Sequence, residues 1–317
     1  MTLPLHLDVV IPTFNREDLL PRALESLLKA DVPSGLTVEI TVVDNNSTDG
    51  SKGLIADFQQ KYPNRVHYVF EARQGRSHAL NAGINATQGD LVGMIDDDEE
   101  IDVSWYKKVY DAFTRNPIDF AGGPYVPRWG APPPPWLPPK HSGIIGVAAS
   151  GDSPHFFGER PGDFLMGGNA ILSRRVLQKV GLYATHLGRT GTRLLADEDT
   201  DMFQRLLASG ARGLYLPDLV IYHYIPPERL TKKYHRRWSF WRGVSTGRLD
   251  LQQPKPVPYM AGAPRYLIGA ALRGVGRILR SIFSAHKSPG QNFSDELLWW
   301  TLSGFYYGKY YYRETEK

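Results

Sequence analysis

The sequence predicts an α/β protein: a mainly parallel, Rossmann-like sheet flanked by helices, followed by a C-terminal helical extension. Two observations carry the prediction. Short apolar runs alternate four times with helical patterns over the first hundred residues, which is the signature of right-handed βαβ crossovers. The last third is instead helical in its spacing and rich in basic residues. The expected division is therefore a domain over residues 1–225 and a basic amphipathic extension over 226–317.

In order, Leu7-Asp8-Val9-Val10-Ile11 reads as a buried strand and Pro12-Thr13-Phe14-Asn15 as the turn leaving it. Asn15, with Asp18 three residues on, is the expected N-cap of a helix carrying Leu19, Leu20, Ala23, Leu24, Leu27 and Leu28 at helical spacing. Pro33-Ser34-Gly35 ends that unit. A second strand over 38–43 runs into Asp44-Asn45-Asn46-Ser47-Thr48-Asp49-Gly50-Ser51, and a second helix reaches about Tyr62-Pro63. Residues 66–70 form a third strand, and Arg73-Gln74-Gly75-Arg76-Ser77 turns into a short helix holding Asn81-Ala82-Gly83. The fourth strand, Leu91-Val92-Gly93-Met94-Ile95, ends abruptly in Asp96-Asp97-Asp98-Glu99-Glu100.

Five adjacent carboxylates repel one another, so a cation is expected among them. Hard oxygen donors in a chain without cysteine suit Mg²⁺ or Mn²⁺, which share their sites with substrate phosphates. The alternative is a solvated acidic turn preceding a helix whose first turn holds Asp102, Val103 and Ser104. In a parallel sheet, Thr13-Phe14-Asn15-Arg16, Asp44-Asn45-Asn46-Ser47 and the acids all lie at one edge, where ligands bind. A carboxylate at the second strand end can accept hydrogen bonds from a base or ribose, and Arg76 can reach a diphosphate. Asx-turn chemistry at Asp44 and simple surface charge at Arg76 are the competing readings.

The ordered set Val10-Ile11-Pro12-Thr13-Phe14-Asn15-Arg16, Val42-Val43-Asp44-Asn45-Asn46-Ser47-Thr48-Asp49, Gly75-Arg76-Ser77 with Asn81-Ala82-Gly83, and Ile95-Asp96-Asp97-Asp98 resembles the family 2 glycosyltransferases over about the first 245 residues. The resemblance implies a GT-A fold, a nucleotide-diphospho-sugar donor and inversion at the anomeric carbon. It implies that Pro12, Thr13, Asn15, Arg16, Asp44, Asn46, Arg76, Asp96 and Asp97 bind the nucleotide-sugar. Asp44 would contact the base, and Arg76 the base or diphosphate. Asp96 and Asp98 would form the Asp-x-Asp pair, with Asp98 the direct ligand of Mn²⁺ or Mg²⁺. A UDP-sugar is the favoured donor, with GDP- and dTDP-sugars as alternatives, and the acceptor is a saccharide or lipid-linked.

Beyond Pro124, Trp129-Gly130-Ala131 and the prolines from Pro132 to Pro139 form a long extended loop. Trp129 and Trp136 would either stack on a sugar or anchor a stiff connector. Phe164-Leu165-Met166-Gly167-Gly168-Asn169-Ala170-Ile171 reads as a strand, and by the resemblance Gly168 and Asn169 line the sugar pocket. A flexible stretch is expected at 188–192, then a helix over 195–207 closed by Ser209-Gly210. In it the resemblance matches a Glu-Asp pair to Glu198-Asp199, with Asp199 as general base. A strand over 216–224 ends at His223, either a third metal ligand or a buried structural histidine.

Pro226-Pro227 opens a basic helix bearing Leu230, Tyr234, Trp238 and Trp241 on one face. Its Tyr234-His235-Arg236-Arg237-Trp238 lacks the glutamine of the processive relatives' motif. Ile268, Leu272, Val275, Leu279 and Ile282 recur at helical spacing, with Arg273, Arg277 and Arg280 expected on the opposite face. Such a helix suits an anionic membrane surface, with Trp299, Trp300 and the tyrosines of 306–312 as interfacial anchors. Packing on the catalytic domain is the alternative.

Of the 317 residues, 42% are hydrophobic and 22% charged, an ordinary globular balance. The absence of cysteine excludes disulfides, thiolate zinc sites and cysteine nucleophiles. No apolar run approaches the ~20 residues that span a bilayer, and no signal segment is visible, so a cytoplasmic protein with peripheral membrane contact is expected. The net charge of +4 with no recognition motif does not favour nucleic acid. Two other functions fit part of the pattern: an Asp-x-Asp phosphatase, disfavoured by Glu99 and Glu100, and an inactive carbohydrate- or nucleotide-binding protein on a transferase fold.

Overall fold

The protein is represented by a computed structural model that describes residues 4–137, 143–187, 198–252, 254–282 and 289–312. Pro138, Pro139, the 188–192 stretch and residues 195–197 of the expected helix lie outside the described residues. The chain divides into two compact units. The described part of the first is 4–128, 147–187 and 198–224; that of the second is 129–137, 143–146, 225–252, 254–282 and 289–312.

The first unit begins with β1 (Leu5–Thr13), α1 (Leu20–Lys29), β2 (Leu36–Asp44), α2 (Ser51–Lys61), β3 (Val66–Phe70), α3 (Arg76–Ala86) and β4 (Leu91–Met94). It continues through β5 (Glu99–Ile101), α4 (Trp105–Arg115), β6 (Phe120–Gly122), β7 (Tyr125–Trp129) and β8 (His155–Phe156). It closes with β9 (Ala170–Ser173), α5 (Arg174–Val180), α6 (Glu198–Ala208), β10 (Gly213–Tyr215) and β11 (Ile221–Ile225). The main sheet runs β3-β2-β1-β4-β9-β6-β10-β8, and a smaller one runs β5-β11-β7. The β3-β2-β1-β4 half is parallel, whereas β9 is antiparallel to both its neighbours. The chain steps outward from β1 to β3 and then returns to β1's other side with β4. That reversal is the switch point at which open α/β sheets bind ligands.

Leu7, Val9 and Ile11 of β1 and Val38, Ile40 and Val42 of β2 bury one sheet face under Leu20, Leu24 and Leu27 of α1 and Trp105 of α4. Val10 and Val43 bury the other face with Ala79, Leu80 and Ile84 of α3. Gly83 makes that contact close: a Cβ there would strike the Val10 side chain.

Several local expectations are corrected. Asn15 does not cap α1, whose N-cap is Leu19; Arg16 and Leu19 form an intervening turn. Asn15 sits at φ 53°, and its Oδ1 accepts the Thr48 amide at 2.7 Å, tying β1's exit to β2's. Residues 164–171 are not one strand: Gly167–Asn169 form a 3₁₀ turn and β9 starts at Ala170. The expected strand over 216–224 is shorter: β10 has already ended at Tyr215, residues 216–220 form a turn, and only β11, from Ile221, is a strand. Pro217 cannot donate a ladder hydrogen bond, and the Leu219 amide turns back to Leu216 at 3.1 Å.

In the second unit, Pro227–Leu230 is a 3₁₀ turn before α7 (Lys232–Gln252). The short strands β12 (Tyr259–Met260) and β13 (Ala263–Pro264) lead to α8 (Arg265–Ile282) and α9 (Pro289–Tyr310). Glycines bring α7 and α9 into backbone contact: a Cβ on Gly243 or Gly247 would fall on the Thr301 or Phe305 carbonyl, and one on Gly304 or Gly308 on Phe240 or Val244. Trp136 meets Phe293 of α9 and His235 of α7 edge-on, at centroid distances of 4.9 and 5.1 Å. On α8, the sequence's apolar stripe is split. Ile268 and Ala271 are buried, whereas Leu272 and Leu279 are exposed, next to Arg273 and Arg280. No helix among the described residues is long and apolar enough to cross a membrane.

Candidate active site

Thr13, Asp44 and Ile95-Asp96 leave β1, β2 and β4 at the same sheet edge, since Thr13 pairs with Asp44 and the Ile95 amide donates to Val10. Because β9 is antiparallel, with Ala170 opposite Met94, its beginning comes to that edge too and brings the Gly167–Asn169 turn with it.

Arg76, the first residue of α3, occupies the middle of this edge. Its Nε and Nη2 lie 3.0 and 2.9 Å from Asp96 Oδ1, and its Nη1 lies 3.0 Å from Asp199 Oδ1 and 3.4 Å from Glu198 Oε1. One guanidinium thus ties the end of β4 to the start of α6. Burial alone would lower the Arg76 pKa, but Asp199, then Asp96 and Glu198, outweigh it and hold the guanidinium charged.

Its position is set by a residue that sequence reasoning passed over. Buried Asn45 donates to the carbonyls of Glu71 and Arg73 at 3.0 and 2.7 Å and accepts the Gly75 amide at 2.7 Å. Gly75 at φ 141° then delivers Arg76 to the edge, in a conformation that favours glycine. Ser77 and Asn81, further along the same motif, bind the backbone at Leu187 and Tyr183. The signal was present as the first asparagine of the Asn45-Asn46 pair, but nothing local distinguishes a buried amide from a turn residue.

The acids are not a solvated turn. Arg16 lies 3.7 Å from Asp97, His223 3.5 Å from Asp98, and Arg22 and Arg128 lie 2.6 and 2.9 Å from Glu100. Glu99 is 1% exposed, and its Oε2 accepts the Asp96 amide at 2.8 Å. Burial, then the charges of Asp96 and Asp98, push the Glu99 carboxyl well above the usual carboxylate range. Burial, then Asp98, raise Asp97 to about 7.

His223 stands opposite Glu99 in the β5–β11 ladder, which is why two residues far apart in sequence meet. Asp98 and His223 are thus a mostly buried oxygen and nitrogen pair suited to a divalent cation, while Asp96 is turned to Arg76. Among the described residues, Asp96, Asp98 and His223 do not converge as a three-donor cluster.

At the end of β2, Asp44 is buried: one carboxylate oxygen accepts the Ser47 amide at 2.8 Å, the other the Tyr68 hydroxyl at 3.1 Å. Burial, then Asp44's charge, raise the Tyr68 phenol to about 12. Pro12 and Thr13 are buried at the end of β1, and Asn46 at φ 65° shapes the turn after β2. On the opposite side, Gly167 and Gly168 leave room for acids. A Cβ on Gly167 would occupy the place of the Asp199 carboxylate, and one on Gly168 that of Glu99. Asn169 is fully buried; its amide accepts from Trp105 Nε1 at 3.0 Å and donates to the Leu219 carbonyl at 2.7 Å, so it offers a sugar no exposed surface. Trp129 is 40% exposed.

The close approach at Gly168 sets a stability test. Gly168→Ala is expected to lower unfolding free energy by about 1–3 kcal/mol in urea titrations, since the added Cβ displaces the buried Glu99 carboxyl from its bond to the Asp96 amide. Gly276→Ala on α8, with nothing within 4 Å of an added Cβ, is expected to raise it by about 0.5–1 kcal/mol. Equal midpoints for Gly168→Ala and wild type would contradict the close packing of Glu99.

Residues 8–181, more than half the chain, match the family described as Glycosyl transferase family 2. The succinoglycan biosynthesis protein ExoM of Rhizobium meliloti is 25% identical over 248 residues, 77% of this chain and 75% of its own length. The glucosyl-dolichyl phosphate glucuronosyltransferase of Haloferax volcanii is 27% identical over 255 residues, 79% of each chain. The mannosyltransferase PcManGT from Pyrobaculum calidifontis, solved in complex with GDP-Man and Mn²⁺, aligns with a TM-score of 0.62 at 17% identity, over 96% of this chain and 87% of that one. At that identity the likeness speaks for the fold, which is of the GT-A type. The phosphatase reading falls away. Sheet topology, the order of the strand-end motifs and the family match agree: this chain belongs to glycosyl transferase family 2 and is a glycosyltransferase.

Proposed function

We propose that the protein transfers a sugar, with inversion, from a nucleotide-diphospho-sugar to a saccharide or lipid-linked acceptor in glycan biosynthesis, with Asp199 as general base. The observation that carries the reading is the single guanidinium joining Asp96 to Asp199 across the sheet edge. It supports a site in which groups for the donor diphosphate and for the acceptor hydroxyl stand a few ångströms apart. The names of ExoM and of the glucuronosyltransferase, and the GDP-Man and Mn²⁺ bound by PcManGT, are consistent with it.

In this reading the donor lies across the ends of β1, β2 and β4. Asp44 and the turns at Asn15 and Asn46 hold the nucleoside, with a UDP-sugar favoured, and Arg16 flanks the phosphates. Arg76 is paired with carboxylates before the donor arrives. A diphosphate is a stronger bidentate partner for a guanidinium than a lone carboxylate oxygen, so it competes for Arg76. Asp199, relieved of part of its pairing, is then available to take the acceptor hydroxyl's proton as that oxygen attacks the anomeric carbon from the face opposite the diphosphate. Glu198 keeps the Arg76 side chain anchored. Gly167 gives Asp199 the room to face the sugar, and Gly168 borders the acceptor side. Asp98 and His223 are the groups that would hold Mn²⁺ or Mg²⁺, which would supply charge neutralisation for the departing diphosphate, while Asp96 stays with Arg76.

Exposed pairs recur seven residues apart along α8, at Arg265-Tyr266, Leu272-Arg273 and Leu279-Arg280, and Arg277 is exposed between the last two. An apolar ridge flanked by arginines favours an anionic bilayer surface, which suits a lipid-linked acceptor.

Two measurements test the reading. With the sugar nucleotide selected by a screen for Mn²⁺-dependent hydrolysis, Asp199→Asn is expected to lower kcat about 10³-fold with little change in donor KM. A loss of less than tenfold would remove Asp199 from the role of base. For the surface, wild-type protein is expected to co-sediment with phosphatidylserine-containing vesicles at low salt and to be released at high salt. Leu272→Glu/Leu279→Glu is expected not to sediment; equal sedimentation of both proteins would contradict the membrane role of α8.

A further inference from the structure

A second cluster of metal-binding side chains lies away from the site described above. β1 opens Leu5-His6-Leu7-Asp8, alternating apolar and polar where a doubly buried strand would be apolar throughout. In the parallel register Asp8 is opposite Glu39 and Thr41 opposite His67, so His6, Asp8, Glu39 and His67 all face one side of the sheet. That is the α3 face, at the end of the strands remote from the Arg76 edge: five residues of β1, roughly 16 Å, separate Asp8 from Thr13.

His6 Nε2 lies 3.4 Å from Asp8 Oδ1 and 3.5 Å from Glu39 Oε1, and His67 Nε2 lies 2.9 Å from Glu39 Oε2. Neither imidazole Nε2 makes a hydrogen bond, although both atoms are buried. One atom each of His6, Asp8 and Glu39 falls within 4.8 Å of the others, the one such three-donor group among the described residues. Charge-assisted hydrogen bonds bring N and O to ~2.7–2.9 Å, whereas donors bound ~2.1 Å from a tetrahedral zinc ion stand about 3.4 Å apart. The His6 distances match the second figure.

The supporting contacts have the same logic. Asp8 is 2% exposed, and its other oxygen, Oδ2, accepts the Gly89 amide at 2.6 Å and lies 3.4 Å from Arg174 Nη2, which leaves Oδ1 aimed at His6. The carboxylates of Asp8 and Glu39 outnumber the one arginine, Arg174, that reaches them. His6, Glu39 and His67 remain 34–41% exposed at their side chains, so an ion can enter from solvent.

We propose that His6 Nε2, Asp8 Oδ1 and Glu39 Oε1 bind a Zn²⁺-class cation, with water completing the coordination and His67 holding the other Glu39 oxygen, and that the ion staples β1 to β2 independently of the transfer site. Mixed imidazole and carboxylate donors favour zinc or its late first-row neighbours over Mg²⁺ or Ca²⁺.

The test is zinc competition against a chromogenic chelator with chelator-stripped full-length protein, paired with thermal melts. Wild type is expected to bind Zn²⁺ and to melt several degrees higher with it. His6→Ala is expected to weaken that binding at least about 100-fold and to lose the Tm gain. Glu39→Gln, a change at a half-exposed position that keeps the side chain's shape, is expected to weaken it at least about tenfold while its zinc-free melt stays that of wild type. Crystals soaked in Zn²⁺ are expected to show an anomalous peak between His6 and Glu39. Equal zinc affinity and Tm gain in wild type and both variants, or a peak only at Asp98 and His223, overturns the proposal. So does a stability that responds to pH but not to Zn²⁺, the behaviour of a plain histidine–carboxylate cluster.

Discussion

The arrangement of the transfer site depends on one side chain satisfying three carboxylates. Arg76 is largely buried and is held between Asp96 at the end of β4 and Glu198 and Asp199 at the start of α6. A buried guanidinium without partners is costly, and so are buried carboxylates without a cation, so each fixes the other. Asn45 and Gly75 set where the arginine begins, and Gly167 leaves the space into which Asp199 fits. The consequence is that two groups 103 residues apart in the chain, Asp96 and Asp199, are held on one guanidinium.

The acidic run shows how the fold handles charge that it cannot remove. Arg76, Arg16 and the Arg22 and Arg128 pair meet Asp96, Asp97 and Glu100, while burial and the neighbouring acids push the Glu99 carboxyl above its usual range. Asp98 is instead brought to His223 by the β5–β11 ladder. Repulsion within the run is therefore relieved mainly by the chain's own cations, and Asp98 with His223 remains the oxygen and nitrogen pair in it best suited to a divalent ion.

Much of this was legible in the sequence, for identifiable reasons. Buried parallel strands are short apolar runs, and polar residues crowd where they end, so Thr13, Asp44 and Asp96 could be assigned to one edge without coordinates. The order of those clusters also pointed to the family. What was not legible depended on non-local pairing. The antiparallel insertion of β9 turned an expected strand into a 3₁₀ turn. Asn15 was read as a helix cap because its chemistry suits one, yet it binds the neighbouring strand's turn. His6, Asp8, Glu39 and His67 are separately unremarkable and meet only once the β1-β2-β3 register is known. The α7–α9 glycines show only as spacing until the two helices are paired.

Arg76 and Asp199 are expected to behave energetically as one unit. A double-mutant cycle with Arg76→Met, Asp199→Asn and the double variant, followed by urea unfolding, measures this directly. The account predicts a coupling energy of about 1–3 kcal/mol, with the double variant less destabilised than the sum of the single ones. A coupling within about 0.3 kcal/mol of zero would mean that the two residues are held independently, and would contradict it.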